Sequence, residues 1–136
     1  MHATENNELP KLSNIEEQIG SLIVDSAIKI HRELGPGLLE SIYEICLAHE
    51  ITKAGFKCER QVNVPVKYDN ITFDEGYRID ILVNGLVICE LKTVEKLLPV
   101  HKAQLLSYMK MRKLRLGYLL NFKSSLMRLG IKRFIL

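Results

Sequence analysis

The hydrophobic pattern of this chain changes its period once, and that change restricts the fold more than any other feature. Over residues 15–34 the apolar side chains recur every three or four positions, which predicts one helix with a single buried stripe. Ser13 or Asn14 would cap its start, and Gly35 would end it. Residues 38–54 predict a second helix. The N-terminal part of the chain is therefore expected to be helical.

Short β-rich runs replace the helical period after Gly55. Asp69 begins a turn, and Asn84 with Gly85 forms a strong hairpin signal between two apolar runs. Pro99 is well placed to open a later helix. The pattern predicts strands over residues 57–68, 77–83 and 86–94, a helix over 100–112, and strands over 116–122 and 131–136. This order, α-α-β-β-β-α-β before the short ending, predicts an α/β domain with a mixed central sheet flanked by helices.

Composition excludes several broad classes of protein. The 136 residues are 47% hydrophobic and 26% charged, which is ordinary for a globular domain and excludes disordered and fibrous chains. No apolar run approaches the roughly 20 residues of a membrane helix, and the polar residues 1–14 contain no apolar signal core. Three scattered cysteines form neither a disulfide framework nor a metal clip. We therefore expect a flexible segment over residues 1–14, a single domain over residues 15–136, a cytoplasmic location and no membrane partner.

The charges are distributed unevenly along the chain. Residues 1–50 carry nine acids and three bases (−6), and residues 51–136 carry seven acids and sixteen bases (+9), which together give the net charge of +3. After Glu95 there are ten bases and no acid. Such a run is typical of a partner with a phosphate backbone, and Lys102 within it is a candidate contact. The alternatives are a solvated basic face, or a surface that meets the acidic half of the same chain.

Three ionisable residues interrupt the apolar hairpin strands: Asp80, Glu90 and Lys92. A plain two-residue turn would put Asp80 on the face opposite Glu90. A three-residue loop with a left-handed glycine would pair Leu82 with Leu86, and all three ionisable side chains would then project to one side. The other face would carry only apolar residues: Ile79, Ile81, Val83, Val87, Cys89 and Leu91. We expect this second register because it buries a uniformly apolar face.

Two carboxylates and a lysine on one face suit a hard-cation site. Magnesium and manganese bind through one or two carboxylates together with waters and substrate phosphate. Asp80 and Glu90 could supply the carboxylates, and Lys92 could hold a water or stabilise charge that builds on the phosphate. The alternative is a buried ion pair without chemistry. Spacing alone does not separate the two.

The same residues carry a resemblance to a known family. Asp80 and the Glu90-Leu91-Lys92 stretch resemble the D…ExK signature of the PD-(D/E)XK nuclease superfamily. The segment Gly-Leu-Leu-Glu-Ser-Ile-Tyr over residues 37–43 resembles the motif of the GxxExxY protein family, a branch of that superfamily. Further similar segments are Gly76 to Asp80, Gln104 to Tyr108, and the strand end from Leu120 to Phe122. The resemblance covers nearly the whole chain from about Ile19, and it implies a restriction-endonuclease-like fold.

The resemblance also implies roles for individual residues. Asp80, Glu90 and the carbonyl of Leu91 would be metal ligands, and Lys92 would be the catalytic lysine. Glu40 matches an acidic residue that binds or orients the metal through water in related nucleases. Gln104 and Tyr108 match a QxxxY motif of members that process nucleic-acid ends, and Tyr43 either supports the site or is a core-rim aromatic residue. The proline in the superfamily's name is replaced by Ile79.

These observations lead to one expected function and two alternatives. We expect Mg²⁺- or Mn²⁺-dependent hydrolysis of phosphodiester bonds in nucleic acid, DNA rather than RNA, with a homodimer as one way for a small domain to cut both strands. The first alternative is a catalytically silent module that binds nucleic acid or another protein on a nuclease-like fold. The second is a structural protein in which the ionisable residues form a buried ion pair.

Overall fold

The computed structural model describes residues 11–74 and 77–136, and the predicted motif residue Gly76 lies outside them, as do residues 1–10 of the predicted flexible segment. The described residues form α1 (Asn14–Leu34), α2 (Glu40–Lys53), β1 (Cys58–Asn63), β2 (Val66–Tyr68), β3 (Ile71–Phe73), β4 (Arg78–Val83), β5 (Val87–Lys92), α3 (Pro99–Arg112), β6 (Leu116–Asn121) and β7 (Ile131–Ile135). A short 3₁₀ helix, Met127–Gly130, precedes β7. Within these residues no helix is both long and apolar enough to cross a membrane.

Five strands form one mixed sheet in the order β1-β4-β5-β6-β7. Only the pair β5 and β6 is parallel, and the other neighbours are antiparallel. The first core cluster joins α1 and α2 to one face of the sheet, through residues such as Ile23, Leu47 and Cys89. The second joins α3 to the other face, through Leu105 and Ile88 among others. The predicted mixed sheet flanked by helices is therefore confirmed.

Helix α1 begins and ends where its sequence predicts. The hydroxyl of Ser13 accepts a hydrogen bond from the backbone N–H of Glu16 (3.2 Å), and the Glu16 carboxylate accepts one from the backbone N–H of Ser13 (2.8 Å). These two bonds form a capping box that satisfies N–H groups left free at the helix start. Gly35 follows the last turn with φ of 76°, which a residue with a side chain rarely adopts.

The predicted strand over residues 57–68 is wrong in one respect, because it is two strands. β1 ends at Asn63 and β2 begins at Val66, with Pro65 between them. Proline has no N–H to give to a sheet, so the chain leaves the main sheet there. β2 then pairs with β3, which the sequence pattern did not predict, across the predicted turn at Asp69.

The hairpin between β4 and β5 has the predicted loop length in a different register. Val83 pairs with Val87, so the predicted pairing of Leu82 with Leu86 is wrong by two positions. Asn84 fixes the loop, since its N–H donates to the carbonyl of Lys57 and its side-chain oxygen accepts from the N–H of Lys57, both at 2.8 Å. A shift by an even number of residues does not by itself move a side chain to the other face.

One residue of the predicted apolar face is misplaced. Ile79 packs in the second cluster with Leu82 and Ile88, whereas Ile81 packs in the first. Strict alternation along β4 therefore fails at Asp80, which lies between the two isoleucines. At the same position the hydrogen bonding of β4 is irregular, since the N–H of Asp80 donates to a side-chain oxygen of Glu90 (3.2 Å).

Candidate active site at the end of the central hairpin

The regular pairing of β4 and β5 ends just before Asp80 and Glu90. The last backbone pair joins Ile81 to Cys89. Beyond it, the N–H of Asp80 donates to Glu90 Oε1 (3.2 Å), and the N–H of Leu91 donates to Asp80 Oδ2 (2.8 Å). Side-chain oxygens thus replace backbone carbonyls as acceptors at this end of the hairpin. The two acidic side chains are held toward each other across the strands.

Burial weakens the acidity of both carboxyl groups, and the charge of Asp80 adds to this effect at Glu90. Glu90 is 6% exposed, and burial, followed by the charge of Asp80, raises its pKa to about 8. Burial also raises the pKa of Asp80, although the hydrogen bond from Leu91 acts in the opposite direction. Neither carboxylate belongs to an ion pair among the residues that the structure describes. A nearby cation would relieve the cost of ionising both groups together.

Glu40 and Lys92 lie beside these two carboxyl groups. The charge of Lys92 lowers the pKa values of Glu40, Asp80 and Glu90, and so acts against their burial. The pKa of Glu40 is nevertheless raised, first by burial and then by the charge of Asp80. A backbone hydrogen bond from Thr93 also ties Glu40 to the end of β5. The structure therefore brings together the four residues predicted to be catalytic.

The parallel pair β5 and β6 fixes the chain that carries Lys92. The N–H of Phe122 donates to the carbonyl of Lys92 at 2.9 Å. Asn121 is buried, and its amide side chain accepts from the N–H of Val94 (3.1 Å) and donates to the carbonyl of Val94 (2.8 Å). The strand end from Leu120 to Phe122, which the sequence indicated only as a motif, thus fixes the backbone at and just after the end of β5.

Tyr43 acts on the site only through the core. It is 0% exposed, and its ring stacks on Phe122 with centroids 4.4 Å apart. Its hydroxyl donates to the carbonyl of Gly35 and accepts from the N–H of Leu38 (3.0 Å), which fixes the loop that leads into Glu40. Tyr43 is therefore a core residue that supports the site by holding this loop, and its buried side chain is not placed to contact nucleic acid.

Tyr108 faces the candidate site from α3. Burial, followed by the charges of Glu90, Tyr77 and Asp80, raises its pKa to about 12, and its ring meets that of Tyr77 edge-on at 5.3 Å. Gln104 is half-buried one turn earlier on the same helix. Within the part of the chain that the structure describes, neither side chain hydrogen-bonds Lys92.

The side chains of Lys102 and His101 make their contacts outside the candidate site. Lys102 is exposed, and its ammonium lies 5.6 Å from the centre of the Phe134 ring on β7. The Nδ1 atom of His101 accepts the N–H of Leu98 (3.0 Å), which caps the start of α3. Lys102 thus belongs to the outer basic surface and not to the cluster around Lys92.

Sequence reasoning missed a charged network behind Asp80. Glu44, one turn after Glu40 on α2, is 5% exposed. The Nε atom of Arg60 donates to its Oε2 atom (2.9 Å), and Nη2 of the same guanidinium forms an ion pair with Oε2 (2.8 Å). Gln61 donates to its Oε1 atom (2.7 Å). From the sequence alone, it could be predicted only that Glu44 lies on the same edge of the helix as Glu40. The partners come from β1, and no local spacing links them to α2.

The basic run after Glu95 is largely exposed. Lys123 pairs with Glu95 (2.8 Å), and Arg133 pairs with Glu17 of the acidic half (3.2 Å). The remaining exposed bases of this run belong to no ion pair among the described residues: Lys96, Lys102, Lys110, Arg112, Lys113, Arg128 and Lys132. Arg115, also in this run, is half-buried and donates to the carbonyl of Lys11 in the acidic half (3.0 Å). Most of the run therefore faces solvent, and among the described residues it meets the acidic half at Arg115 and Arg133.

The donor set of the site fits a hard divalent cation. Asp80 and Glu90 offer carboxylate oxygens that are held toward each other across the two strands. Among residues 11–74 and 77–136, no three His, Cys, Asp or Glu side chains gather closely enough to hold a metal by themselves. Mg²⁺ commonly binds through one or two carboxylates, with water and substrate phosphate as its other ligands.

A mixed five-stranded sheet with helices on both faces is a restriction-endonuclease-like fold, the architecture of a class of nucleases. The chain belongs to the PD-(D/E)XK nuclease superfamily, whose sequence profile matches residues 17–134. No curated protein and no solved structure matches the chain significantly.

Proposed function

We propose that this protein is a metal-dependent nuclease that hydrolyses phosphodiester bonds, with DNA as its substrate in preference to RNA. One observation carries the proposal: a buried carboxyl group, Glu90, and a half-buried one, Asp80, lie beside a lysine that forms an ion pair with neither, at one end of a central hairpin in a chain of the PD-(D/E)XK nuclease superfamily. A merely structural ion pair would place Lys92 within 4 Å of a carboxylate, and among the described residues it forms no such pair.

Each residue of the site would have a separate task. Asp80 and Glu90, with the carbonyl of Leu91, would hold Mg²⁺ or Mn²⁺, and Glu40 would orient the bound ion through water. When bound, such an ion supplies Lewis-acid activation of water and neutralises phosphate charge. Lys92 would stabilise the negative charge that develops on the phosphate oxygens during in-line attack.

Residues on the flanks of the site would hold the nucleic acid. Gln104 and Tyr108 could donate hydrogen bonds to a phosphate that approaches between α3 and the end of β5. Lys102 and the other exposed bases after Glu95 would follow the phosphate backbone. No base-reading motif is evident among them, so cleavage would tolerate sequence or follow the shape of the substrate.

Three further assignments form part of the proposal. Membership of the GxxExxY branch is supported by the motif over residues 37–43, in which Glu40 reaches the end of β5 and Tyr43 holds the preceding loop. A single domain over residues 15–136 is supported by one main sheet that contains β1, β4, β5, β6 and β7. A cytoplasmic location is supported by three free cysteines, Cys46, Cys58 and Cys89.

The direct test is cleavage of fluorescent single- and double-stranded DNA, linear and circular, with Mg²⁺, with Mn²⁺ and with EDTA. Lys92→Met and Asp80→Asn should each lower the rate by at least ~100-fold, on the scale of losing a preorganised charge at the reacting phosphate. Lys53→Met is the matched control, because Lys53 is exposed at the opposite end of α2 from Glu40. Full activity in Lys92→Met, or activity in EDTA, would contradict the proposal.

Calorimetry separates the nuclease from a catalytically silent module. The parent protein should bind Mn²⁺, and Glu90→Gln should lose that binding while keeping its affinity for DNA. A parent protein that binds DNA but neither binds Mn²⁺ nor cuts any substrate would instead be a binding module on a nuclease-like fold.

A further inference from the structure

The buried carboxylate of Glu44 has no role in the proposed mechanism, yet each of its two oxygens accepts a hydrogen bond. Two guanidinium nitrogens of Arg60 meet Oε2, and the amide of Gln61 meets Oε1 at 2.7 Å. A carboxylate that accepts a hydrogen bond on each oxygen and is also paired with a guanidinium is fixed in one rotamer. Glu44 is therefore a rigid anchor behind the site.

Gln61 connects this anchor to Asp80. Its Nε2 atom, 2.7 Å from Glu44, also lies 3.4 Å from Asp80 Oδ1, so the two N–H bonds of one amide point to two carboxylates. The second contact is the longer and the weaker. Because the other oxygen of Asp80 accepts from the N–H of Leu91 (2.8 Å), the carboxylate is held on both of its oxygens.

The backbone of β1 is distorted at this residue. β1 and β4 pair at Arg60 and at Val62, but not at Gln61, which stands opposite Asp80. Gln61 has φ of 53°, a left-handed conformation that costs free energy for any residue except glycine. Such strain persists only where surrounding contacts impose it, and here the contacts are the two carboxylates.

The position of the amide also has an electrostatic effect. The charge of Glu44 raises the pKa of Asp80, and the hydrogen bond from Gln61 lowers it. The neutral amide thus separates two carboxylates that would otherwise face each other. Gln61 itself is exposed, so this separation is made at the rim of the site.

We propose that Gln61 is a positioning residue: held by Glu44 and Arg60, it fixes the Asp80 carboxylate in the orientation in which that carboxylate receives a divalent cation. Partners of metal ligands commonly act in this way, by orienting the ligand without touching the metal. The metal-binding part of the inference rests on the proposed function, whereas the hold on Asp80 does not.

Gln61→Met tests the inference, because methionine keeps the length of the side chain and removes both donors. In the metal-free protein, the N–H of Leu91 should exchange with solvent about tenfold faster, since the freed carboxylate no longer stays beneath it. Mn²⁺ affinity measured by calorimetry should fall about tenfold, with KM for DNA unchanged. Gln18→Met, the same change at an exposed position on α1, should alter neither quantity.

Unchanged Leu91 exchange in Gln61→Met would overturn the inference. A raised KM for DNA with unchanged Mn²⁺ affinity would also overturn it, because Gln61 would then contact nucleic acid itself. If Gln61→Met folds poorly, Gln61→Asn replaces it: the amide remains but cannot span both carboxylates, and the same faster exchange is expected. If the parent binds no Mn²⁺, the proposed function fails, and Leu91 exchange still decides whether Gln61 holds Asp80.

Discussion

The substitution Glu90→Gln should stabilise the metal-free protein while it removes metal binding. The pKa of Glu90 is raised from an ordinary 4.5 to about 8, so the folded protein favours the neutral carboxyl group. Below pH 4.5 the group is protonated in both the folded and the unfolded chain, and it contributes no difference. Between pH 4.5 and pH 8 the unfolded chain ionises first, and folding loses free energy progressively. Above pH 8 both states are ionised and the loss stays constant.

The size of this loss follows from the shift in pKa. With about 1.4 kcal/mol for each pKa unit, the penalty reaches about 4 kcal/mol at pH 8 and about 1 kcal/mol at pH 5. Glutamine is neutral at both values and keeps the oxygen that accepts the N–H of Asp80. The unfolding free energy of Glu90→Gln should therefore exceed that of the parent by up to about 4 kcal/mol at pH 8, and by about 1 kcal/mol at pH 5.

Urea unfolding in EDTA, followed by circular dichroism at both pH values, measures this difference. Glu33→Gln is the control, because Glu33 is exposed on α1 and its substitution should leave the pH dependence unchanged. Saturating Mg²⁺ should raise the stability of the parent and not that of Glu90→Gln, as expected when an ion binds only the folded protein. Equal stabilities of parent and variant at pH 8 would refute the reasoning that Glu90 is held, buried, against Asp80.

Three further predictions concern the supporting structure. Tyr43→Phe removes the hydroxyl that bonds the loop before α2 and should cost about 1–3 kcal/mol of unfolding free energy, measured by urea unfolding. Gly117→Ala should cost about 1–3 kcal/mol by the same measurement, because its methyl group would lie 2.7 Å from the sulfur of Met109; a stability equal to the parent's would contradict this packing. Lys110→Ala and Lys113→Ala should each weaken DNA binding and lower the slope of log affinity against log salt by about 1, measured by fluorescence anisotropy; an unchanged slope would exclude phosphate contacts there.

The sequence predicted most of the fold because its signals were local. The capping box at Ser13, the glycine after α1 and the turn residues at Asn84 each act within a few positions of the chain. The shared face of Asp80 and Glu90 was predictable for the same reason, since it depends on parity along two strands. The register itself was not predictable, because the bonds between Asn84 and Lys57 join the loop to a distant segment.

The parts that escaped prediction depend on contacts between distant segments. The network around Glu44 joins α2 to β1, and nothing in the spacing of Arg60 or Gln61 indicates it. The burial of Tyr43 beneath Phe122 likewise joins residues almost eighty positions apart. Ile79 lies on the other face from its predicted one, beside the irregular hydrogen bonding of Asp80, which strict alternation does not predict.

At the end of the hairpin, side-chain oxygens replace backbone carbonyls as hydrogen-bond acceptors. This replacement affects how inactive variants should be interpreted. Alanine at Asp80 would remove the acceptor for the N–H of Leu91, so this end of the sheet would fray. An inactive Asp80→Ala protein would therefore not distinguish a lost ligand from a displaced Lys92. Asparagine at Asp80 and glutamine at Glu90 keep an oxygen in the same place, so they distinguish a loss of catalysis from a loss of local structure. Alanine scanning would overestimate the contribution to catalysis of every residue near these strand ends.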